Sequence, residues 1–192
     1  IPCEAPVVGF VGRFIPWKGA ELFVEMAAQV RRAVPGTHFL IVGSRLAAYP
    51  DYLPRLQARI DALGLAGCTT VLVDRRDIPD LLAAMDVFVH CSLRPEPFGI
   101  VIVEAMAAGK PVVAVGAGGV PEIIDRPEVG RLVPLGDRAA TAAAVTELLR
   151  NPSDAEALGR AARDHVVGRF DIARVTARVE SIYERALVAS AH

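Results

Sequence analysis

The apolar positions of this chain change period repeatedly. Val7-Val8-Gly9-Phe10-Val11 is a continuous apolar run closed by Gly12-Arg13, which predicts a strand buried on both faces. From Ala20 the period lengthens. Leu22, Phe23, Met26, Ala27, Val30 and Val34 share one helical face until Pro35-Gly36 stops the helix. A second strand runs from Phe39 to Val42, ended by Gly43-Ser44, and a second helix from about Leu53 to Leu63, ended by Gly64. Thr69 to Val73 is a third strand, Ile78-Pro79-Asp80 opens a short helix through Met85, and Asp86 to His90 is a fourth strand. A loop, a helix and a stop at Gly109 follow, and Pro111 leads into a fifth strand, Val112 to Val115. Pro121 fits a first helical turn, and Gly130 to Pro134 makes a sixth strand. Beyond Asp137 the chain is helical and alanine-rich through Leu149. Asn151-Pro152-Ser153 breaks that helix and caps the next, Gly168 interrupts again, and a last helix runs from Ile172 to Leu187.

Short buried strands alternating with helices predict an α/β fold, a doubly wound parallel sheet of Rossmann-like type. Ligands of such sheets sit outside the carboxyl ends of the strands. The loops that matter are therefore 12–19, 43–52, 74–78, 91–99 and 116–121. A length of 192 residues with 53% hydrophobic content can fill one such core. The 21 basic and 22 acidic residues are interspersed and leave a net charge of −1, so bulk charge draws the chain neither to nucleic acid nor to an anionic membrane. No apolar run approaches the roughly 18 residues of a membrane span. Ile1-Pro2-Cys3-Glu4 is no signal peptide, and without an initiator Met the chain reads as a fragment. Cys3, Cys68 and Cys91 form no C-x-x-C pair and read as free thiols of a reducing cytosol, and the four histidines lack metal-ligand spacing. Lysine occurs only at Lys18 and Lys110, both beside glycine, while the other 19 basic residues are arginine.

Two phosphate motifs fail. Gly116-x-Gly118 begins a dinucleotide fingerprint, but Pro121 stands where the third glycine belongs. Gly109-Lys110 lacks the upstream glycine and the following Ser or Thr of a P-loop. The stretch Glu96-Pro97-Phe98-Gly99 suits a sugar-and-phosphate cradle better. It opens a helix whose first N–H groups are unpaired and whose dipole favours an anion. Gly99 lets a ligand approach the backbone, and Glu96 can accept hydrogen bonds from vicinal hydroxyls. With a helix starting near Phe98, Glu104 lies about 9 Å along the axis, too far to share one atom with Glu96. Two rings joined by a diphosphate would suit that separation. Glu104 sits among apolar residues and is expected to need a partner. Arg13 and Lys18 supply positive charge from the loop after the first strand. Trp17 reads as packing, His90 as a structural strand-end residue rather than a base, and Gly116 to Gly119 as either a close approach or a tight turn.

Gly12-Arg13 with Lys18-Gly19, Asp86-Val87-Phe88-Val89, Glu96-Pro97-Phe98-Gly99 with Glu104-Ala105, Gly109-Lys110-Pro111 and Gly118-Gly119-Val120-Pro121-Glu122 occur in one order. Together they resemble the donor-binding half of a retaining glycosyltransferase of the GT-B fold, family 4 or group 1, with Glu96 and Glu104 as its E-x7-E pair. The resemblance runs from Val7 to about Leu187. It implies that Arg13, Lys18 and Glu96 do the catalytic work: the cations on the donor diphosphate, the acid on the sugar hydroxyls. It implies donor binding through Gly12, Arg75, Ile78, Phe98, Gly99, Ile100 and Glu104, with Glu104 on the ribose and the segment 73–78 flanking the base. Family members commonly carry glycine near Asp74, where this chain has Asp-Arg-Arg.

The resemblance further implies residues 1–170 as a nucleotide-sugar-binding domain and 171–192 as a helix packing toward an absent N-terminal acceptor domain. Val175, Val179, Ile182 and Leu187 would form its stripe. The partner molecule would be a nucleoside-diphosphate sugar of UDP or GDP type. No cofactor or metal would be required, and the absence of Asp-x-Asp fits that expectation. Alone, the fragment would bind donor weakly and transfer nothing. The setting would be cytoplasmic, with membrane contact only through the absent domain. Competing readings are a nucleotide-sugar 2-epimerase, a glycosidase using Glu96 and Glu104, and a non-catalytic nucleotide-sugar-binding module. Arg13 with Lys18 argues against the epimerase, and a doubly wound sheet is an unusual host for the glycosidase.

Overall fold

The computed structural model describes residues 1–2 and 4–189. Cys3 and the last three residues of the expected C-terminal helix segment lie outside the described residues. Six parallel strands form one sheet: β1 Val7–Val11, β2 His38–Gly43, β3 Thr69–Val73, β4 Val87–His90, β5 Val112–Val115 and β6 Arg131–Val133. Their order is β3-β2-β1-β4-β5-β6. The helices are α1 Ala20–Ala33, α2 Tyr52–Ala62, α3 Ile78–Ala83, α4 Ile100–Ala107, α5 Val120–Ile123, α6 Arg138–Arg150, α7 Pro152–Phe170 and α8 Ile172–Ala189.

Each strand feeds two cores by simple alternation. Val8, Phe10, Phe39, Ile41, Val89 and Val113 face one side, where Phe23, Leu56, Ile60 and Val145 of α1, α2 and α6 cover them. Val7, Leu40, Val42, Phe88, Val112 and Ala114 face the other, under Leu82, Ile102, Met106 and Val166 of α3, α4 and α7. Coverage on both faces is why these strands read as unbroken apolar runs.

The strand order reverses between β1 and β4, which are neighbours in the sheet although 75 or more residues separate them. Loops leaving these two strands diverge to opposite faces and open a crevice at the carboxyl edge. The loop after β1 contains a short 3-10 turn, Pro16–Lys18, and the loop after β4 clasps it. Leu93 N donates to Trp17 O at 2.7 Å, and the Ser92 hydroxyl donates to the same oxygen at 3.1 Å. Trp17 packs edge-on to Tyr49 and under the Arg94 guanidinium, so it serves packing.

Three boundaries differ from expectation. Helix α4 starts at Ile100 rather than near Phe98, because Gly99 is its N-cap at φ 102°. Gly168 does not interrupt α7, which continues to Phe170; the chain breaks at Asp171, whose carboxylate accepts from the N–H groups of Ala173 and Arg174 and caps α8. Asn151 precedes α7, but its side chain does not cap it; the amide donates back to Glu147 O of α6 at 2.8 Å. Among the described residues, no helix is long and apolar enough to cross a membrane.

Candidate active site

At the switch point a cavity of about 410 Å³ is lined by Gly12, Arg13, Lys18, Ile78, Glu96, Phe98, Gly99, Ile100 and Glu104, with His90 at its base. These positions come from the loops after β1, β3 and β4 and from helix α4, which chain order keeps apart. Arg75 is not among them. It is exposed and forks onto Asp77 through two hydrogen bonds, so the expected role at this cavity is not where its side chain stands.

Lys18 and Glu96 meet directly, with Nζ 2.5 Å from Oε2. The second donor on the same oxygen is His90 Nε2 at 3.4 Å. The His90 ring, together with the Lys18 ammonium, outweighs desolvation and holds the Glu96 carboxyl down at about 2. Glu96 is therefore an anion at any ordinary pH and can only accept hydrogen bonds. Its backbone is pinned as well: Gly119 N donates to Glu96 O at 2.8 Å, and Glu96 bridges Gly118 as an isolated strand pair. The glycines at 118 and 119 thus serve a close approach to protein backbone, the first of the two alternatives for that loop.

Glu104 is the fifth residue of α4, about 6 Å along the axis from its start. Its apolar neighbours Ile102, Ala105 and Met106 are buried on other faces of the helix, while Glu104 is exposed at the cavity wall. Among the described residues its carboxylate has no hydrogen bond or ion pair. The helix turns it outward to the cavity, so among the described residues no protein group is the partner expected of it. Although the residue is exposed, desolvation of its carboxyl pushes the pKa up. Arg13 is likewise exposed and lacks a protein partner among the described residues.

Lys110 follows a different fate from Lys18. It lies before β5 at the opposite edge of the sheet, in a separate hollow with Asp86 and Pro111. Pairing the two lysines by their glycine neighbours was misleading. His90 ends β4 as expected; only 6% of it is exposed and it touches the central carboxylate. Its position as the last residue of a strand at the switch point was the signal available.

The arrangement is a crevice of a doubly wound sheet with two cations, one fixed carboxylate, one free carboxylate and an uncapped helix start. That combination suits a phosphorylated, hydroxyl-rich ligand. The family described as "Glycosyl transferases group 1" matches residues 1–165, and the chain belongs to it. A GDP-mannose-dependent alpha-(1-6)-phosphatidylinositol monomannoside mannosyltransferase of Mycolicibacterium smegmatis is 35% identical over 168 residues, 83% of this chain and 43% of that protein. HepE of Anabaena, solved in complex with UDP and glucose, superimposes with a TM-score of 0.90 at 33% identity, covering 95% of this chain and 49% of that one. The C-terminal domain of LpcC, a group 1 family protein of Francisella tularensis, matches at a TM-score of 0.78 and 26% identity, covering 88% of this chain and 89% of that domain. The chain spans about half the length of its full-length relatives. It corresponds to the C-terminal domain of a GT-B glycosyltransferase, and its relatives are named as glycosyltransferases.

Proposed function

We propose that this chain is the donor-binding half of a retaining glycosyltransferase that takes a sugar from a UDP- or GDP-sugar. The observation that carries the reading is the convergence of Lys18, Arg13, Glu96 and Glu104 on one crevice with the start of α4. The diphosphate lies against Arg13, Lys18 and the first N–H groups of α4. These cations offset the charge that develops on the leaving nucleotide without a metal. Glu96 accepts from the sugar hydroxyls and Glu104 from the ribose.

The rest of the enzyme follows from the same reading. Helix α8 leaves Ile172, Val175, Val179, Ile182 and Leu187 exposed along its length. The half of its relatives' length that this sequence does not span is the occupant that covers this stripe and brings the acceptor. The setting is cytoplasmic, in keeping with the free thiols of Cys68 and Cys91.

Calorimetric titration of the chain with UDP, GDP and ADP, with and without Mg²⁺, tests the proposal. One nucleotide should bind without metal, and both Lys18→Ala and Glu104→Ala should weaken it. Binding that needs Mg²⁺, or that ignores both substitutions, would remove the assignment.

A further inference from the structure

We propose that His90 is the positioning residue of the sugar subsite: it keeps the Glu96 carboxylate aimed at the sugar once the donor diphosphate has drawn Lys18 away. The inference rests on the donor-binding reading above and adds a role to it.

Lys18 and His90 compete for one atom, Glu96 Oε2. Lys18 has the shorter contact, but it stands on a short turn in a loop, with 21% of its side chain exposed. Its charge is a flexible point charge, and a diphosphate is a stronger attractor than one carboxylate. When Lys18 turns to phosphate, Glu96 loses its nearest partner just as the sugar hydroxyls arrive.

His90 cannot leave in the same way. It ends β4 between two sheet neighbours, and only 7% of its side chain is exposed. Among the described residues the ring makes one polar contact with protein, through Nε2, and the buried Nδ1 has no partner among them. An ionised carboxylate only accepts, so Nε2 is the nitrogen that donates to it. Among the described residues the hydrogen bond of His90 goes to Glu96. The remaining charged groups around the cavity, Arg13 and Glu104, are exposed at its rim. The Glu96 backbone is already held by Gly119 N, so the side chain is the part that needs a guide.

The test is a split between sugar and nucleotide. Calorimetry on this chain compares UDP with UDP-glucose, and GDP with GDP-mannose, for wild type, His90→Ala and His90→Gln. The preference for nucleotide-sugar over nucleotide should fall about tenfold in His90→Ala, the loss of one hydrogen bond to a charged group, and return in His90→Gln, whose side-chain N–H can replace Nε2. Carboxyl NMR titration of Glu96 in the Lys18→Ala background gives a readout that needs no donor. Its carboxyl should still titrate below the ordinary value there, and should move up when His90→Ala is added. Equal loss of nucleotide and nucleotide-sugar, no rescue by Gln, or a Glu96 titration indifferent to His90 would overturn the proposal. If wild type binds none of the nucleotides, the donor reading fails, while the Glu96 titration still decides whether His90 governs that carboxylate.

Discussion

Gly118 and Glu96 touch through their backbones at a distance that admits no side chain: a Cβ on Gly118 would stand 2.2 Å from the Glu96 carbonyl oxygen. Gly118 also sits at φ 71°, where an L-residue is strained. The loop after β5 therefore carries the loop after β4 on its back, and Glu96 inherits its height from a glycine 22 positions later in the chain. Gly118→Ala should cost about 1–3 kcal/mol by the sum of strain and clash. Urea unfolding reads the stability, and calorimetry reads the accompanying loss of donor affinity. A stable Gly118→Ala protein with unchanged donor affinity would mean that the two loops are not coupled.

The Lys18–Glu96 pair makes a pH prediction with a definite sign. The Glu96 carboxyl is depressed from 4.5 to about 2, led by the His90 contact and then the Lys18 ammonium. A depressed acid contributes stability that is fully present above its unfolded value and is lost as pH falls through its folded value. The advantage of wild type over Glu96→Gln should be constant from pH 7 to about 5 and vanish between 4.5 and about 2. Solvent screening limits it to about 1 kcal/mol. Parallel urea titrations of the two proteins across that range check it; an advantage that grows on acidification would have the wrong sign.

Much of this was legible in the sequence, for identifiable reasons. Strands such as Thr69–Val73 and Val112–Val115 are apolar runs hemmed by glycine, proline or charge, and their limits could be read directly. The start of α4 could not. Its residues are apolar on every side, so no amphipathic edge marks the first turn, and the backbone turn at Gly99 belongs to tertiary packing. Gly168 misled because a glycine in a helix costs only about 1 kcal/mol, less than the packing of Ala162 and Val166 returns. The candidate site was legible as a set because its three loops lie after strands. The link between His90 and Glu96 depends on side-chain directions that spacing does not encode.

Asp74 offers a test of backbone strain in the loop after β3. It is the only non-glycine residue at positive φ among the described residues, at 55°. Its carboxylate accepts from Arg45 N at 3.0 Å and Arg45 Nε at 2.9 Å, joining the loops after β2 and β3. Asp74→Ala keeps the strain and removes the clamp, whereas Asp74→Gly removes both. Ala should therefore be the less stable variant, by about 1 kcal/mol, the left-handed penalty of a Cβ. Thermal melts of the two variants decide it, and equal melting temperatures would show that the turn relaxes when the clamp goes.

Glu104 is the acid whose loss should be felt by ligand alone. It is exposed and has no protein partner among the described residues, so Glu104→Ala should leave the urea midpoint within experimental scatter. If its carboxylate accepts from the ribose, truncation removes a charge-assisted hydrogen bond of about 1.5–3 kcal/mol, or roughly 10- to 100-fold in nucleotide affinity. Inorganic pyrophosphate carries the diphosphate charge without a ribose, so the ratio of nucleotide to pyrophosphate affinity should fall by the same factor. Lys18→Ala should weaken both ligands and leave that ratio near its wild-type value. The two substitutions then separate the two ends of the donor: one acid reads the sugar of the nucleoside, one cation reads the phosphates. A Glu104→Ala protein that loses pyrophosphate and nucleotide in equal measure would put Glu104 in the electrostatics of the phosphate site instead.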